Sequence, residues 1–202
     1  MPEDWNRSVP LNDRWLEYWR LKLRALVLLV FGRRARALDA FTEMLRRRPG
    51  DAYALASRAH LHAQMGNNDA ALVDATELTR AHPRRSAADW FNYAYLLEQA
   101  QRLDEAEQAF RSALELDSKL DRAWYGLGMV LIRQRRFDEA IAALKRNTEL
   151  QPMSPYGWYQ LARVHMDLHD PVAARKIIVH LRGFEPKVAD QLERETGLAN
   201  SR

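Results

Sequence analysis

Residues 124–152 read WYGLGMVLIRQRRFDEAIAALKRNTELQP, and this stretch decides the fold. Its apolar residues recur every three or four positions, which is the spacing of one face of an α-helix. The pattern breaks at Arg135-Arg136 and ends at Pro152. A proline lacks the backbone N–H and disfavours helix in the residue before it. The stretch therefore predicts two helices joined by a short polar turn and ended by a proline.

The same pattern recurs along the chain at a fixed interval. Tryptophans and prolines mark it, because several of them are 34 residues apart: Trp90, Trp124 and Trp158, then Pro49 and Pro83, then Pro152 and Pro186. Alignment on these residues gives five windows: 18–51, 52–85, 87–120, 121–154 and 155–188. Ser86 is a one-residue insertion between the second window and the third. Such self-similarity is the signature of a helical-repeat architecture.

Two columns of this alignment hold only small residues. The first column is Ala25, Ala59, Ala94, Gly128 and Ala162. The second column is Ala37, Ala71, Ala106, Ala140 and Ala174. Small side chains let two helix backbones approach closely, and the bulky residues beside them fill the remaining gap. The columns therefore predict that each window folds as two antiparallel helices.

The order of residues in the fourth window resembles the tetratricopeptide repeat. Trp124 is followed by Leu127-Gly128, then by Phe137, Ala140 and Leu144, and finally by Pro152. The resemblance implies an all-α fold, a right-handed α-α superhelix of five helix pairs over residues 18–188. Residues 1–17 are predicted to form an extension that leads into the first helix. Residues 189–202 are predicted to form a short capping helix and a tail, which would shield the last repeat.

The resemblance also implies where a partner binds. In this family the first helix of each pair lines the concave side of the solenoid, and the inward columns of the last three windows are rich in aromatic residues and Met. We predict a partner-binding groove formed by Phe91, Tyr95, Arg122, Tyr125, Met129, Tyr159 and Arg163. Aromatic residues and Met are enriched at binding surfaces, and arginine can pair with an acidic peptide. The alternative is that some of these side chains pack against neighbouring repeats.

The function predicted from this groove is that of a scaffold or adaptor that binds a peptide or a partner protein. Two alternatives remain open: a self-assembling structural protein and an RNA-binding module. Runs of arginine such as 33–36 and 133–136 raise nucleic acid as a partner, but acidic residues balance them outside residues 1–51. We therefore expect no nucleic acid partner.

No enzymatic activity is expected, because the sequence has no phosphate-binding glycine loop, nucleophile elbow or H-E-x-x-H motif. His165 and His169 have the spacing of metal ligands on a helix but lack a clear third ligand. We expect no metal and no cofactor.

The first helix has an unusual composition. Residues 25–31 form an apolar run that is far too short to span a membrane. The longer stretch 13–31 is nevertheless apolar nearly all round. The terminal helix of a solenoid has a neighbouring repeat on one side only, so its remaining apolar residues need another cover. We predict an exposed oligomer or membrane surface formed by Trp15, Trp19, Leu26, Val27 and Val30. In order of preference, residues 1–12, a second copy in a homodimer, or a membrane interface covers this surface.

Composition sets the remaining limits. The chain has no Cys, which excludes disulfides and thiolate metal sites. Its net charge of +4 arises entirely in residues 1–51, because residues 52–202 contain equal numbers of basic and acidic residues. The N-terminal residues have no apolar signal-peptide core, so we expect a cytoplasmic location.

Overall fold

The computed structural model describes residues 11–198, with side chains from residue 15 onwards. Within that range the chain contains eleven α-helices and no strand. The helices are α1 (Leu11–Val30), α2 (Arg34–Arg47), α3 (Ala52–Gln64), α4 (Asn68–Ala81), α5 (Ala87–Gln99), α6 (Leu103–Leu116), α7 (Asp121–Arg133), α8 (Phe137–Leu150), α9 (Pro155–Asp167), α10 (Pro171–Arg182) and α11 (Pro186–Thr196). The all-α helix-pair architecture expected from the sequence is confirmed.

The ends of the helices follow local chemistry. Three second helices end two residues before a proline: α2 before Pro49, α4 before Pro83 and α8 before Pro152. Pro186 differs, because α10 ends at Arg182 and Pro186 is instead the first residue of α11. The backbone N–H at the first position of a helix makes no hydrogen bond within the helix, and the fixed φ of proline is helical. A proline can therefore begin α11 as well as end another helix.

The small-residue columns lie where the helices are in closest contact. All ten residues of the two columns are buried. A Cβ atom built on Gly128 would lie 2.8 Å from Leu144 Cδ2, so α7 and α8 approach too closely there for a larger residue. The packing thus accounts for the residue types that the repeat requires at these positions.

The described part of the chain forms two compact units, which divide between Pro83 and Arg84. In the first unit, which contains α1 to α4, the core is built around Phe41, Met44 and Leu55. A charged contact joins α3 to α4 beside this core. Arg58 donates two hydrogen bonds, of 2.8 and 2.7 Å, to the carboxylate of Asp74, which is only 3% exposed. This paired geometry is what allows a carboxylate to be buried there.

The second unit contains α5 to α11. Its core includes Phe110, Leu131, Leu144 and Leu161, each of which is almost fully buried. Two indole rings make the same bond one repeat apart. Trp124 Nε1 donates to the carbonyl oxygen of Ser118, and Trp158 Nε1 donates to that of Pro152, both at 2.9 Å. Each bond ties the start of a first helix to the chain that follows the preceding helix.

Helix α11 covers the last helix pair, as the sequence predicts. Ala189 and Leu192 of α11 are fully buried in a cluster with Ala162, Ile178 and Leu181 of α9 and α10. Val188 is partly buried against the same cluster. The outward positions of α11, such as Lys187 and Asp190, are exposed. Helix α11 therefore covers the apolar surface that a sixth repeat would otherwise have covered.

Candidate functional site

A concave pocket with a volume of about 540 Å³ lies in the second unit. Helices α5 and α7 supply most of its lining. Five of the seven residues predicted for the groove line it: Phe91, Tyr95, Arg122, Tyr125 and Met129. Their spacing explains why, because residues three or four positions apart share one face of a helix. We call this concavity the unit 2 pocket.

The apolar floor of the pocket is formed where α5 and α7 meet α6. The rings of Phe91 and Phe110 lie 5.9 Å apart between centroids. Phe110 is almost fully buried, whereas Phe91 is half-buried and faces the pocket. A Cβ atom built on Gly126 would overlap the Phe110 ring, so glycine leaves the room that this ring needs. The floor is thus fixed by core packing and not by a mobile side chain.

Arg122 places a positive charge at the apolar wall. Its guanidinium carbon lies 4.7 Å from the centre of the Phe91 ring, which is within the range of a cation–π contact. No carboxylate within the described residues forms an ion pair with Arg122. The side chain is exposed, so its hydrogen-bond donors remain accessible to an anionic group bound in the pocket.

Two other polar side chains of the lining, Glu98 and Asn147, are engaged in contacts between helices. Glu98 pairs with Arg133 at 3.3 Å, and the amide of Asn147 donates to the backbone oxygen of Asp121 at 3.0 Å. These contacts link α5 to α7 and α7 to α8. These contacts hold the helices that form the pocket walls, and neither of them involves Arg122.

Several lining residues were not among the predicted groove residues: Glu98, Gln99, Phe110, Asp121, Gly126, Asn147, Ser154 and Tyr156. Glu98 belongs to an inward column, so its position had a signal in the repeat alignment. Tyr156 belongs to no inward column. It lies in the first turn of α9 and is 70% exposed, and only the packing of α9 against α8 reveals that it reaches the pocket.

The two remaining predicted groove residues, Tyr159 and Arg163, lie on α9 and are not part of the pocket lining. The Tyr159 hydroxyl donates a 2.5 Å hydrogen bond to Glu195 of α11. This bond raises the pKa of Tyr159 and lowers the pKa of Glu195. The guanidinium of Arg163 lies 5.8 Å from the Tyr159 ring centre. The structure therefore brings five predicted residues together and places these two at the edge of the capping helix.

The first unit carries a different surface. Eight large apolar side chains of α1 and the following turn are exposed: Trp15, Leu16, Trp19, Leu23, Leu26, Val27, Val30 and Phe31. We call this surface the α1 face. It includes all five residues predicted for an oligomer or membrane surface. The opposite side of α1 packs on the core through Ala25, Leu21 and Leu28. The preferred cover, residues 1–12, lies almost entirely outside the described residues.

No helix among the described residues is long and apolar enough to cross a membrane. The described residues also contain no group of three or more side chains placed to hold a metal ion. His165 Nδ1 instead lies 3.5 Å from Asp170 Oδ2, between the end of α9 and the start of α10.

The arginine runs differ between the two units. In the second unit, Arg133 pairs with Glu98, and Arg136 pairs with Glu107 and Glu139. In the first unit, no carboxylate within residues 15–198 pairs with Arg33, Arg34 or Arg36. Arg133 and Arg136 are thus neutralised by carboxylates, whereas Arg33, Arg34 and Arg36 at the α1–α2 turn are not.

Comparison with known proteins agrees with the repeat pattern. Sequence profiles of the tetratricopeptide repeat match residues 22–75, 56–121 and 97–159. No curated protein matches the chain.

Several solved structures share the fold. The crystal structure of MamA is 16% identical, with a TM-score of 0.77 over 92% of this chain and 96% of that one. YrrB, described as a TPR protein with an unusual peptide-binding site, is 17% identical, with a TM-score of 0.76 over 84% of this chain and 88% of that one. A tetratricopeptide repeat protein from Parabacteroides merdae is 22% identical, with a TM-score of 0.67 over 96% of this chain and 74% of that one. At these identities the likeness establishes the fold alone.

Proposed function

Because the chain belongs to the tetratricopeptide repeat family, we propose that it is a protein-interaction scaffold that binds a segment of a partner polypeptide in the unit 2 pocket. The observation that carries this proposal is the convergence of five predicted groove residues on one pocket. They come from two helices that are 34 residues apart in the repeat, so no local sequence feature requires them to meet around an open space. A solved relative described as having a peptide-binding site gives further support.

The lining indicates the chemistry of the partner segment. Phe91, Tyr125 and Met129 offer aromatic and thioether surface, which suits a large apolar side chain. Arg122 is accessible beside them and suits a carboxylate. We therefore propose a segment in which a large apolar residue lies close to Asp or Glu. The internal ion pairs of Arg133 and Arg136 favour such a peptide over RNA, since these two arginines of the 133–136 run are already neutralised by carboxylates.

A peptide-display selection on the intact protein tests this proposal. Selected peptides are expected to combine an aromatic or long aliphatic residue with an acidic one. The affinity of a selected peptide is then measured by calorimetry for the wild type and for Tyr125→Ala and Arg122→Ala. Truncation of a residue that anchors the peptide is expected to cost about 1–3 kcal/mol of binding free energy.

Phe31→Ala is the matched control for these variants. Phe31 is 73% exposed, lies in the first unit and has no part in the pocket. This change is expected to leave peptide affinity unaltered. Circular dichroism establishes that each variant keeps its helical content. If Tyr125→Ala unfolds the protein but the residual folded fraction binds with wild-type affinity, then the aromatic residues serve packing and the proposal is wrong.

A further inference from the structure

The α1 face is an apolar arc with cations along both edges. At about 100° per residue, the exposed apolar side chains of residues 15–30 span about 120° of the helix circumference, centred on Val30. On this projection Arg20 and Arg24 lie at one edge of the arc and Lys22 lies at the other. A two-stranded coiled coil uses a narrower seam of two positions in seven. An arc wider than this seam needs a broad apolar cover, which a membrane surface provides.

The charge next to the α1 face has one sign. Residues 18–36 contain six basic residues and no acidic one: Arg20, Lys22, Arg24, Arg33, Arg34 and Arg36. Glu17, the nearest acidic residue, already pairs with Arg47 of α2. No carboxylate within residues 15–198 forms an ion pair with any of these six residues. A surface that covers the α1 face therefore gains by being negatively charged.

This charge argues against a second copy as the partner. Two α1 helices packed face to face about Leu23, in either direction, would bring Arg20, Lys22 and Arg24 of the two copies close together. Like charges at an interface oppose association. The charge is complementary to phospholipid head groups, and the apolar arc is complementary to the acyl chains beneath them.

We propose that the α1 face docks the protein on a bilayer that contains anionic lipids. The helix lies in the interface plane, since it cannot span the membrane. At the C-terminal end of the helix, Val30 and Phe31 are 83% and 73% exposed, and these two side chains insert deepest into the bilayer. Arg33 and Arg34 follow after Gly32 and contact the phosphates. Trp15 and Trp19 occupy the head-group level at the other end, where indole rings are favoured.

Flotation of the full-length protein with vesicles tests this proposal. The protein is expected to float with vesicles of phosphatidylcholine mixed with phosphatidylglycerol, and not with vesicles of phosphatidylcholine alone. High salt is expected to release it. Val27→Glu combined with Val30→Glu should abolish flotation. Neutralising Arg33, Arg34 and Arg36 to Gln should lower the partition coefficient about 100-fold.

Matched controls use α10, which has exposed apolar and basic residues in the other unit. Val172→Glu with Val179→Glu and Arg175→Gln with Lys176→Gln are expected to float like the wild type. Circular dichroism checks the fold of every variant. Failure of the wild type to float, equal flotation with neutral vesicles, or equal losses in the α10 variants overturns the proposal. Light scattering measures the molar mass of the same samples. A wild-type dimer that becomes monomeric in the Val27→Glu, Val30→Glu variant would also overturn the proposal, because it would assign the α1 face to a second copy.

Discussion

Each turn between the two helices of a repeat contains one residue with a left-handed backbone. These residues are Gly32, Gly66, Gln101, Arg135 and His169, with φ between 57° and 78°. They occupy equivalent positions in the five windows. The turn geometry is thus the same in all repeats, although only two of the five residues are glycine. A side chain with a Cβ atom is strained in this region by about 1–2 kcal/mol.

We predict that Gly66→Ala destabilises the protein by about 1 kcal/mol. Gly66 has a φ of +78°, and nothing lies within 4 Å of an added Cβ atom, so backbone strain is the only cost. Urea denaturation followed by circular dichroism measures the change.

Gly50→Ala is the control for this change. Gly50 also has open space around an added Cβ atom but does not have a positive φ. Its replacement should leave stability unchanged or raise it by about 0.4–1 kcal/mol, since alanine restricts the unfolded chain. Equal stabilities of the two variants would show that the turn does not impose the left-handed conformation.

At the scale of a single element, α11 closes the second unit. Its buried face consists of Ala189 and Leu192, and its exposed Glu195 accepts the hydrogen bond from Tyr159. The helix has eleven residues, which is too short for stability in isolation. Its formation therefore depends on the contact with α9 and α10.

We predict that Leu192→Ala destabilises the second unit by about 2–5 kcal/mol, because Leu192 is fully buried and its loss leaves a cavity. Thermal unfolding and hydrogen exchange of α11 measure the loss. Lys187→Ala, on the exposed side of the same helix, should change stability by less than about 0.5 kcal/mol. Equal effects of the two changes would mean that α11 does not pack as described.

The Tyr159–Glu195 contact should depend on pH. Glu195 has a lowered pKa in the folded protein, so its contribution is present above its ordinary value of 4.5 and is lost as the pH falls through the folded value. Tyr159 has a raised pKa, so its contribution is present below its ordinary value of 10.0 and is lost at higher pH.

The stability difference between the wild type and Tyr159→Phe is therefore expected to be largest between these two values and to shrink in acid. Urea midpoints at several pH values measure it. Tyr95 has an exposed ring on α5, so the stability difference between the wild type and Tyr95→Phe should not change with pH. A Tyr159→Phe difference that stays constant into acid would contradict the assigned contact.

For the whole molecule, the two proposed binding surfaces differ in charge. The positive excess lies in residues 1–51, which include the α1 face, whereas residues 52–202 contain equal numbers of basic and acidic residues. Electrostatic attraction should therefore act at the α1 face and contribute little at the unit 2 pocket.

We predict that peptide binding to the unit 2 pocket weakens by less than about ten-fold between low and moderate salt, because Arg122 is the one charged contact proposed there. Calorimetry at several salt concentrations measures this dependence. Single-stranded RNA in the same titrations serves as the comparison. Tight RNA binding that falls steeply with salt would favour the RNA-binding alternative instead.

The repeat alignment predicted most of the fold. Helix pairs, buried small residues and the capping helix follow from local rules, since helix periodicity, prolines and small-residue columns act within one repeat. Pro186 was the exception, because a proline ends one helix and begins another equally well. The alignment also predicted five of the pocket-lining residues, since inward columns recur with the repeat.

The sequence by itself thus determined the class of fold, the repeat unit and an excess of apolar residues on the first helix. The tertiary structure alone decided which surfaces remain open. In the folded protein Tyr159 lies beside Glu195 of α11, and Tyr156 of α9 lines the unit 2 pocket. The tertiary structure also divided the apolar residues of α1 between the core and the surface. The physical reason is that periodicity fixes which residues share a helix face, whereas exposure of that face depends on neighbours distant in sequence.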